Sequence, residues 1–270
     1  MIKILQVRNI DSFVESRRQK TSEKDRKTVQ SILNDVRKNG DSAVKKYERK
    51  FNGRKTSQLR VSAKEIKEAK SKIPTRRVIS AADKEFALER MRTLLSVQES
   101  ALMKYLEGFA RNPQGQHLFQ KLQRSFVPIS SVGCYIPGGQ ARYPSSAMMS
   151  VLPAKIAGVK RIVVVSPPGR DGKIDPFTIT AAKMCGATEI YKVGGAQAIG
   201  ALAYGTKSVS KVDKIVGPGG KFISIAKSLV SDQTAIDMIA GPTELGVIAD
   251  ASSDPELVAL DLISQAEHSK

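Results

Sequence analysis

A strand-forming run, a pair of glycines and a helix-forming stretch follow one another between Glu189 and Gly205. Gly194 and Gly195 let the backbone turn sharply and bring it close to a neighbour, because neither carries a Cβ atom. The first amides of the following helix would suit an anion such as a nucleotide phosphate. Tight turns of this kind also occur without a ligand in many α/β sheets, so both interpretations stay open.

The same order of strand, turn and helix recurs through the second half of the chain. The predicted strands cover 126–129, 132–136, 161–166, 190–193 and 212–216, and the predicted helices cover 145–158, 176–185, 195–204 and 221–230. Asp175 and Pro176 are typical of a helix start, and Gly186 of its end. This alternation predicts an α/β fold with a doubly wound, Rossmann-like parallel sheet.

Three glycine turns follow predicted strands, at 137–139, 194–195 and 217–220. The carboxyl ends of parallel strands share one edge of a sheet, which is where ligands bind in such folds. No turn matches the Gly-x-Gly-x-x-Gly fingerprint, so a dinucleotide at this edge would be held in an atypical way. The absence of this fingerprint also argues against a dehydrogenase that binds its dinucleotide in the ordinary way.

The first 112 residues have helical patterns and are predicted to form a helical arm. We predict helices over 22–39, from Asp41 to about 51, from a Ser62–Glu65 capping box to about 74, and over 75–111. Asp41 is predicted to cap the second of them. His117 is interpreted as a surface or packing residue rather than a metal ligand.

The formal charge of +18 is concentrated in the first part of the chain, with +16 over residues 1–130 and +2 over residues 131–270. A basic region can bind nucleic acid or an acidic partner. Acidic residues are interleaved with the basic ones at helical spacing, so a solvated helix face is the alternative. Aromatic residues for stacking are few, and we do not expect a nucleic-acid partner.

Composition narrows the class of protein further. Hydrophobic content of 41% and charged content of 26% are ordinary for a globular protein. No apolar run is long enough to span a bilayer, and the first ten residues lack the features of a targeting signal, so we expect a cytoplasmic protein without a membrane partner. Cys134 and Cys185 are expected to be buried and reduced.

The last part of the chain is predicted to start a second α/β domain, with a strand over 245–249 and a helix that begins near Asp254. Gln265 and His268 are three residues apart and share a helix face. An amide oxygen and a neutral imidazole can ligate a divalent metal, but two such residues are fewer than the three protein ligands of a catalytic zinc. A solvated pair is therefore the alternative.

Five segments together resemble the histidinol dehydrogenase family. They are Val-Gly-Cys-Tyr-Ile-Pro-Gly-Gly (132–139), Lys-Val-Gly-Gly-Ala-Gln-Ala-Ile (192–199), Val-Asp-Lys-Ile-Val-Gly-Pro-Gly (212–219), Ile-Asp-Met-Ile-Ala-Gly-Pro-Thr-Glu (236–244) and Ser-Gln-Ala-Glu-His (264–268). Their order and spacing match the family from about residue 126 onward. The resemblance implies domains at 1–112 (arm), 113–234 (NAD side) and 235–270 (start of the second Rossmann-like domain).

The resemblance implies the NAD-dependent oxidation of L-histidinol to L-histidine through L-histidinal, a step of histidine biosynthesis, by a zinc-containing homodimer. Tyr135, Gln197 and Gly220 would bind NAD, although Gly220 stands where the family usually has Asn and so lacks a side chain to hydrogen-bond the cofactor. Thr243 would face the substrate together with Gln265 and His268. The last two residues would also be zinc ligands.

The family's Glu-His acid–base pair and two further zinc ligands lie beyond the position of Lys270, and His117 and His268 are the only histidines in this sequence. No catalytic residue is therefore assigned, and the 270-residue chain is expected to lack turnover. A positioned general base typically contributes about 10²–10⁴-fold to rate. The alternative function is a non-catalytic nucleotide-binding module whose basic arm binds an acidic partner.

Overall fold

The central element is a five-stranded sheet in which every neighbouring pair of strands is parallel. The computed structural model describes residues 9–12, 22–53, 58–73, 89, 127–138, 142–239 and 245–266. The strands are β1 (Ser131–Tyr135), β2 (Arg161–Ser166), β3 (Glu189–Lys192), β4 (Lys214–Val216) and β5 (Ala235–Ile236), in the spatial order β3-β2-β1-β4-β5. The predicted doubly wound fold class is confirmed.

Helices cover both faces of this sheet. Their bounds are α1 (Glu23–Asn39), α2 (Asp41–Asn52), α3 (Ala63–Ser71), α4 (Pro144–Ile156), α5 (Pro176–Cys185), α6 (Gly195–Tyr204) and α7 (Lys221–Val230). One apolar core joins α1, α2, α6 and α7 to one face, and a second joins α3, α4 and α5 to the other. Alternate residues of β2 divide between them, with Val163 in the first core and Val164 in the second.

The helices of the predicted arm contribute directly to these cores. Val29, Leu33 and Val36 of α1 recur at helical spacing and are fully buried. Helix α1 starts at the Ser22 cap, whose hydroxyl accepts from the Asp25 amide. Helix α3 starts with the predicted capping box, in which Ser62 and Glu65 bond each other's backbone amides. The domain boundary at residue 112 stays a prediction.

The segment before α3 covers the outer edge of the sheet beside β3. Arg60 forms an antiparallel bridge with Tyr191, and the Val61 amide donates to the Ile190 carbonyl at 2.8 Å. The Lys192 ammonium lies 2.7 Å from the Glu65 carboxylate in α3. An edge strand that would otherwise present unpaired backbone groups is thereby protected.

Three details of the predicted secondary structure are wrong. Residues 127–129 form no strand, because Pro128 lacks an amide proton and Val127 is exposed. Gly40 rather than Asp41 is the cap of α2, since the Asp41 carboxylate bonds the Ser208 hydroxyl and amide instead. Residues 245–249 also form no strand, and no strand among the described residues pairs with them.

The chain divides into two compact units, residues 1–239 and residues 240–270. The described part of the second unit contains helix α8 (Pro255–Ala266), and the Glu256 and Leu257 amides in its first turn donate to the Asp254 carboxylate, as predicted for a helix that begins there. The apolar side chains of α8 are exposed, Leu257 and Ile263 among them. Most of the helix predicted over 75–111, as well as His117, lies outside the described residues.

No helix within the ranges that the structure describes has both the length and the apolar character required to cross a membrane.

Candidate functional site at the carboxyl edge of the sheet

The order of the strands makes β1 and β4 the switch point of the sheet, which is the position at which open α/β sheets have a crevice. The chain leaves β1 toward β2 on one side and leaves β4 toward β5 on the other, so the two following turns diverge. Such a switch point is where parallel α/β sheets bind ligands. The residues after β1 include Pro137 and Gly138, and those after β4 are Gly217 to Gly220.

Gly217 brings the turn after β4 against the end of β1. Its φ is +112°, and a Cβ atom there would lie 2.2 Å from the Tyr135 carbonyl oxygen. Only glycine fits both the left-handed backbone and this close approach. At this point the turn after β4 therefore packs backbone against backbone on the end of β1.

A buried ion pair holds Gly217 in place. The Lys227 ammonium of α7, which is 2% exposed, donates to the Gly217 carbonyl at 3.1 Å and forms an ion pair with Asp237. The Asp237 carboxylate accepts from the Gly217 amide at 2.8 Å and from the Met238 amide at 2.7 Å. Burial by itself would raise the pKa of Asp237, but the hydrogen bonds from Lys227 and the two amides outweigh it and hold the pKa below its usual value.

Gly220 differs from Gly217 in being open on its side-chain side. It is the cap of α7. Among the residues that the structure describes, no side chain bonds the first amides of that helix, and no atom lies within 4 Å of the position of its missing Cβ. A ligand group or a longer side chain at residue 220 would therefore meet no steric barrier.

Two of the three predicted cofactor-binding residues lie near the first turn of α6: Gln197 belongs to that turn, and Tyr135 lies close to Gly195. The Tyr135 hydroxyl is buried and lies near the Gly195 amide. Burial raises the pKa of Tyr135 to about 12, the Gly195 amide opposes that rise, and the charge of Glu48 adds to it. Tyr135 therefore stays neutral at physiological pH.

The Glu48 carboxylate also bonds to this turn. Its Oε1 accepts from the Gly194 amide and from the Gln197 side-chain nitrogen, both at 2.9 Å. Glu48 is fully buried on the apolar face of α2, although it is a charged residue. The Gly194 amide, which could otherwise bind a phosphate, is thus already bonded to Glu48.

A second close approach occurs beside the end of β2. A Cβ on Gly138 would lie 2.8 Å from the Ser166 hydroxyl oxygen, and a Cβ on Gly194 would lie 2.4 Å from the Pro167 side chain. Small residues after β1 and β3 therefore let both turns pack on the end of β2. This confirms that the predicted glycine turns lie at one edge, because all five strands point the same way.

The two cysteines do not contribute a reactive group. Both are buried and neither forms a disulfide, as predicted. Burial, with a smaller contribution from the Asp237 charge, raises the pKa of Cys134 to about 12.

The predicted substrate and zinc residues belong to the second unit. Gln265 is half-buried in the last turn of α8, whereas Thr243 and His268 lie outside the described residues. Within the described ranges no group of three or more His, Cys, Asp or Glu side chains is placed to hold a metal ion. The donors on this part of the chain do not make a complete zinc site by themselves.

Sequence analysis did not identify Glu48, Lys227 or Asp237 as parts of the site. A signal existed for Glu48, since it lies four residues after Val44 and one after Tyr47, both on the buried face of α2. Lys227 likewise falls among Ile223, Ala226 and Val230 on the buried face of α7. A charged residue at an apolar position of a helix indicates a buried partner, but it does not name that partner.

The fold defines the chain as an α/β protein with a doubly wound parallel sheet. The model of the histidinol dehydrogenase family matches residues 15–270, so the chain belongs to that family. It is 45% identical to the histidinol dehydrogenase of Bacillus licheniformis over 247 residues, which are 92% of this chain and 55% of that protein. It is 46% identical to the histidinol dehydrogenase of Methanococcus maripaludis over 242 residues, which are 89% of this chain and 54% of that protein.

A solved structure agrees with this assignment. The histidinol dehydrogenase of Elizabethkingia anophelis superposes with a TM-score of 0.71 at 32% identity, covering 96% of this chain and 58% of that one. The chain therefore spans about half the length of the relatives it matches.

Proposed function

We propose that this chain supplies the dinucleotide-binding part of a histidinol dehydrogenase, an oxidoreductase that oxidises L-histidinol to L-histidine through L-histidinal with NAD. The observation that supports this most is that Tyr135, Gly217 and Gly220 lie at the switch point between β1 and β4 in a family member's sheet. NAD accepts hydride from the carbinol carbon, and the chain's contribution is to bind and orient it.

Zinc is proposed as a cofactor from family membership. Gln265 and His268 would each offer one donor, and two donors bind zinc more weakly than the three of a catalytic site. Gln265 and His268 therefore do not by themselves complete a catalytic zinc site. Thr243 is proposed to lie beside the substrate with them.

Homodimerisation and a cytoplasmic location are likewise proposed from the family. The apolar side chains exposed on α8 are consistent with a surface that is covered in a larger assembly. Sedimentation of the purified chain at several concentrations would test self-association.

The test of the proposed function has two parts. Titration calorimetry of the 270-residue chain with NAD should show saturable binding, and Gly217→Ala should weaken it because the turn after β4 is displaced. Incubation with L-histidinol, NAD and zinc should give no NADH. Absence of NAD binding would contradict the proposed cofactor role, and NADH formation would contradict the expected lack of turnover.

A second candidate function is the binding of an acidic partner by the basic helices. A groove of about 660 Å³ between α1 and α2 is flanked by Lys24, Lys27 and Lys50 and floored by Ile32 and Tyr47. Cations beside an apolar floor suit an acidic, partly apolar ligand. Retention on an anionic resin that does not change with salt concentration would remove this candidate.

A further inference from the structure

A carboxylate from another helix is bonded to the turn between β3 and α6. The Glu48 carboxylate is 0% exposed and bonds the Gly194 amide and the Gln197 side-chain nitrogen at 2.9 Å each. A phosphate at this turn would bring a second negative charge beside that carboxylate, and such repulsion is strong where water is excluded. The same turn therefore disfavours phosphate, although glycine turns before helices usually suit it.

The bond to Glu48 also fixes which atom of the Gln197 side-chain amide is left to contact a ligand. Because the nitrogen donates to Glu48, the oxygen Oε1 points away from it. This oxygen is buried and has no hydrogen-bond partner among the residues that the structure describes. An unpaired buried acceptor is unfavourable, so it is expected to gain a donor when the site is filled.

Gly195 leaves an approach to this oxygen. A Cβ on Gly195 would lie 2.5 Å from Gln197 Oε1, so a side chain there would cover it. Gly195 is half-buried, whereas Gly194 and Ala196 on either side are buried. Gln197 Oε1 is thus a buried side-chain acceptor of this turn to which the described residues supply no donor.

We propose that Glu48 is a positioning residue for Gln197. It fixes the amide so that Gln197 accepts a hydrogen bond from a hydroxyl or N–H group of the dinucleotide, while the phosphates of the dinucleotide bind elsewhere along the edge. This proposal rests on the proposed function only for the identity of the ligand. The placement of the amide by Glu48 is independent of that function.

Calorimetric titration with NAD tests the positioning role. Glu48→Leu removes both acceptor bonds and lets the Gln197 amide turn, so the Kd for NAD should rise about fivefold, as expected for one lost hydrogen bond. Glu48→Gln keeps an acceptor oxygen in the same place and should retain affinity close to that of the wild type. The double variant Glu48→Leu, Gln197→Leu should bind no more weakly than Gln197→Leu alone.

The matched control is Val44→Ala, which loosens the same helix at a fully buried position without touching the amide. It should lower stability and leave the Kd for NAD unchanged. Equal losses of affinity in Val44→Ala and Glu48→Leu, or additive losses in the double variant, would overturn the positioning role.

Proton exchange measured by nuclear magnetic resonance tests the same role without NAD. The Gln197 side-chain protons should exchange slowly in the wild type and in Val44→Ala, and quickly in Glu48→Leu. Inorganic phosphate should leave the Gly194 and Gly195 amide signals unmoved in the wild type. Fast exchange in the wild type would overturn the placement by Glu48, and phosphate-dependent shifts would overturn the exclusion of phosphate.

The two parts can fail separately. A wild-type chain that does not bind NAD overturns the proposed function and the assignment of the donor group to NAD. Slow exchange that depends on Glu48 still supports the positioning of Gln197 in that case.

Discussion

The Gly217 amide donates a hydrogen bond to the carboxylate of Asp237 at 2.8 Å, although the two residues are twenty positions apart. The carbonyl of the same glycine accepts from Lys227, so both of its backbone polar groups are bonded by one buried ion pair. The turn after β4 is thus fixed by α7 and by the residue that follows β5. The shape of the switch point depends on this link.

Lys227→Met should destabilise the fold substantially. The substitution leaves the Asp237 carboxylate, which is partly buried, without its cation, and loss of one partner of a buried pair costs about 3 kcal/mol. Urea unfolding should show a lower midpoint. The control is Lys221→Met, whose pair with Asp25 is more exposed, so its loss should lower stability much less. Equal losses in the two variants would contradict the role of Lys227.

The free energy of unfolding should fall in acid in part because of Asp237. Its folded-state pKa lies below the usual value of 3.8, so the unfolded state binds more protons in acid. The stabilisation is fully present above about pH 4 and is lost as the pH falls through the lower folded-state pKa. Asp237→Asn should therefore lose less stability than the wild type between about pH 5 and pH 2 in denaturant titrations. An unchanged slope would show that the Asp237 charge is not linked to folding.

Gly217→Ala and Gly220→Ala should differ sharply. At residue 217 the new methyl group would meet the Tyr135 carbonyl and the backbone has a positive φ, so a loss of about 3 kcal/mol or more is expected. At residue 220 the space is open and the φ is −68°, so the change should stay within about 1 kcal/mol. Thermal unfolding of both variants measures the difference. Similar melting temperatures would contradict the close approach of the turn after β4 to the end of β1.

Gly220→Asn should strengthen NAD binding if residue 220 faces the cofactor as proposed. The family usually has Asn here, and one added hydrogen bond is worth about 1 kcal/mol, or about fivefold in Kd. The side chain could instead cap α7, which would raise the melting temperature without changing the Kd. Calorimetry and thermal unfolding of the same variant distinguish the two results, and the second would contradict the cofactor contact.

Local sequence determined most of the fold. Apolar spacing, the Ser22 and Asp175 caps, the Ser62–Glu65 capping box and the glycine turns place helix starts and strand ends, because each acts over a few neighbouring residues. The alternation of strands and helices then restricts the sheet to a parallel, doubly wound one. The motifs that resemble the family predicted that Tyr135 and Gln197 lie at the carboxyl edge of this sheet.

Only the tertiary structure decided what fills that edge. The carboxylate at the Gly194 turn comes from Glu48, which is 146 residues away in sequence, and no local pattern specifies such a pairing. The apolar run at 245–249 forms no strand because a strand needs a hydrogen-bonded neighbour, and none of the described strands pairs with it. Sequence sets local conformation through short-range sterics and hydrogen bonds, whereas burial of a charge and pairing of a strand depend on residues brought together by folding.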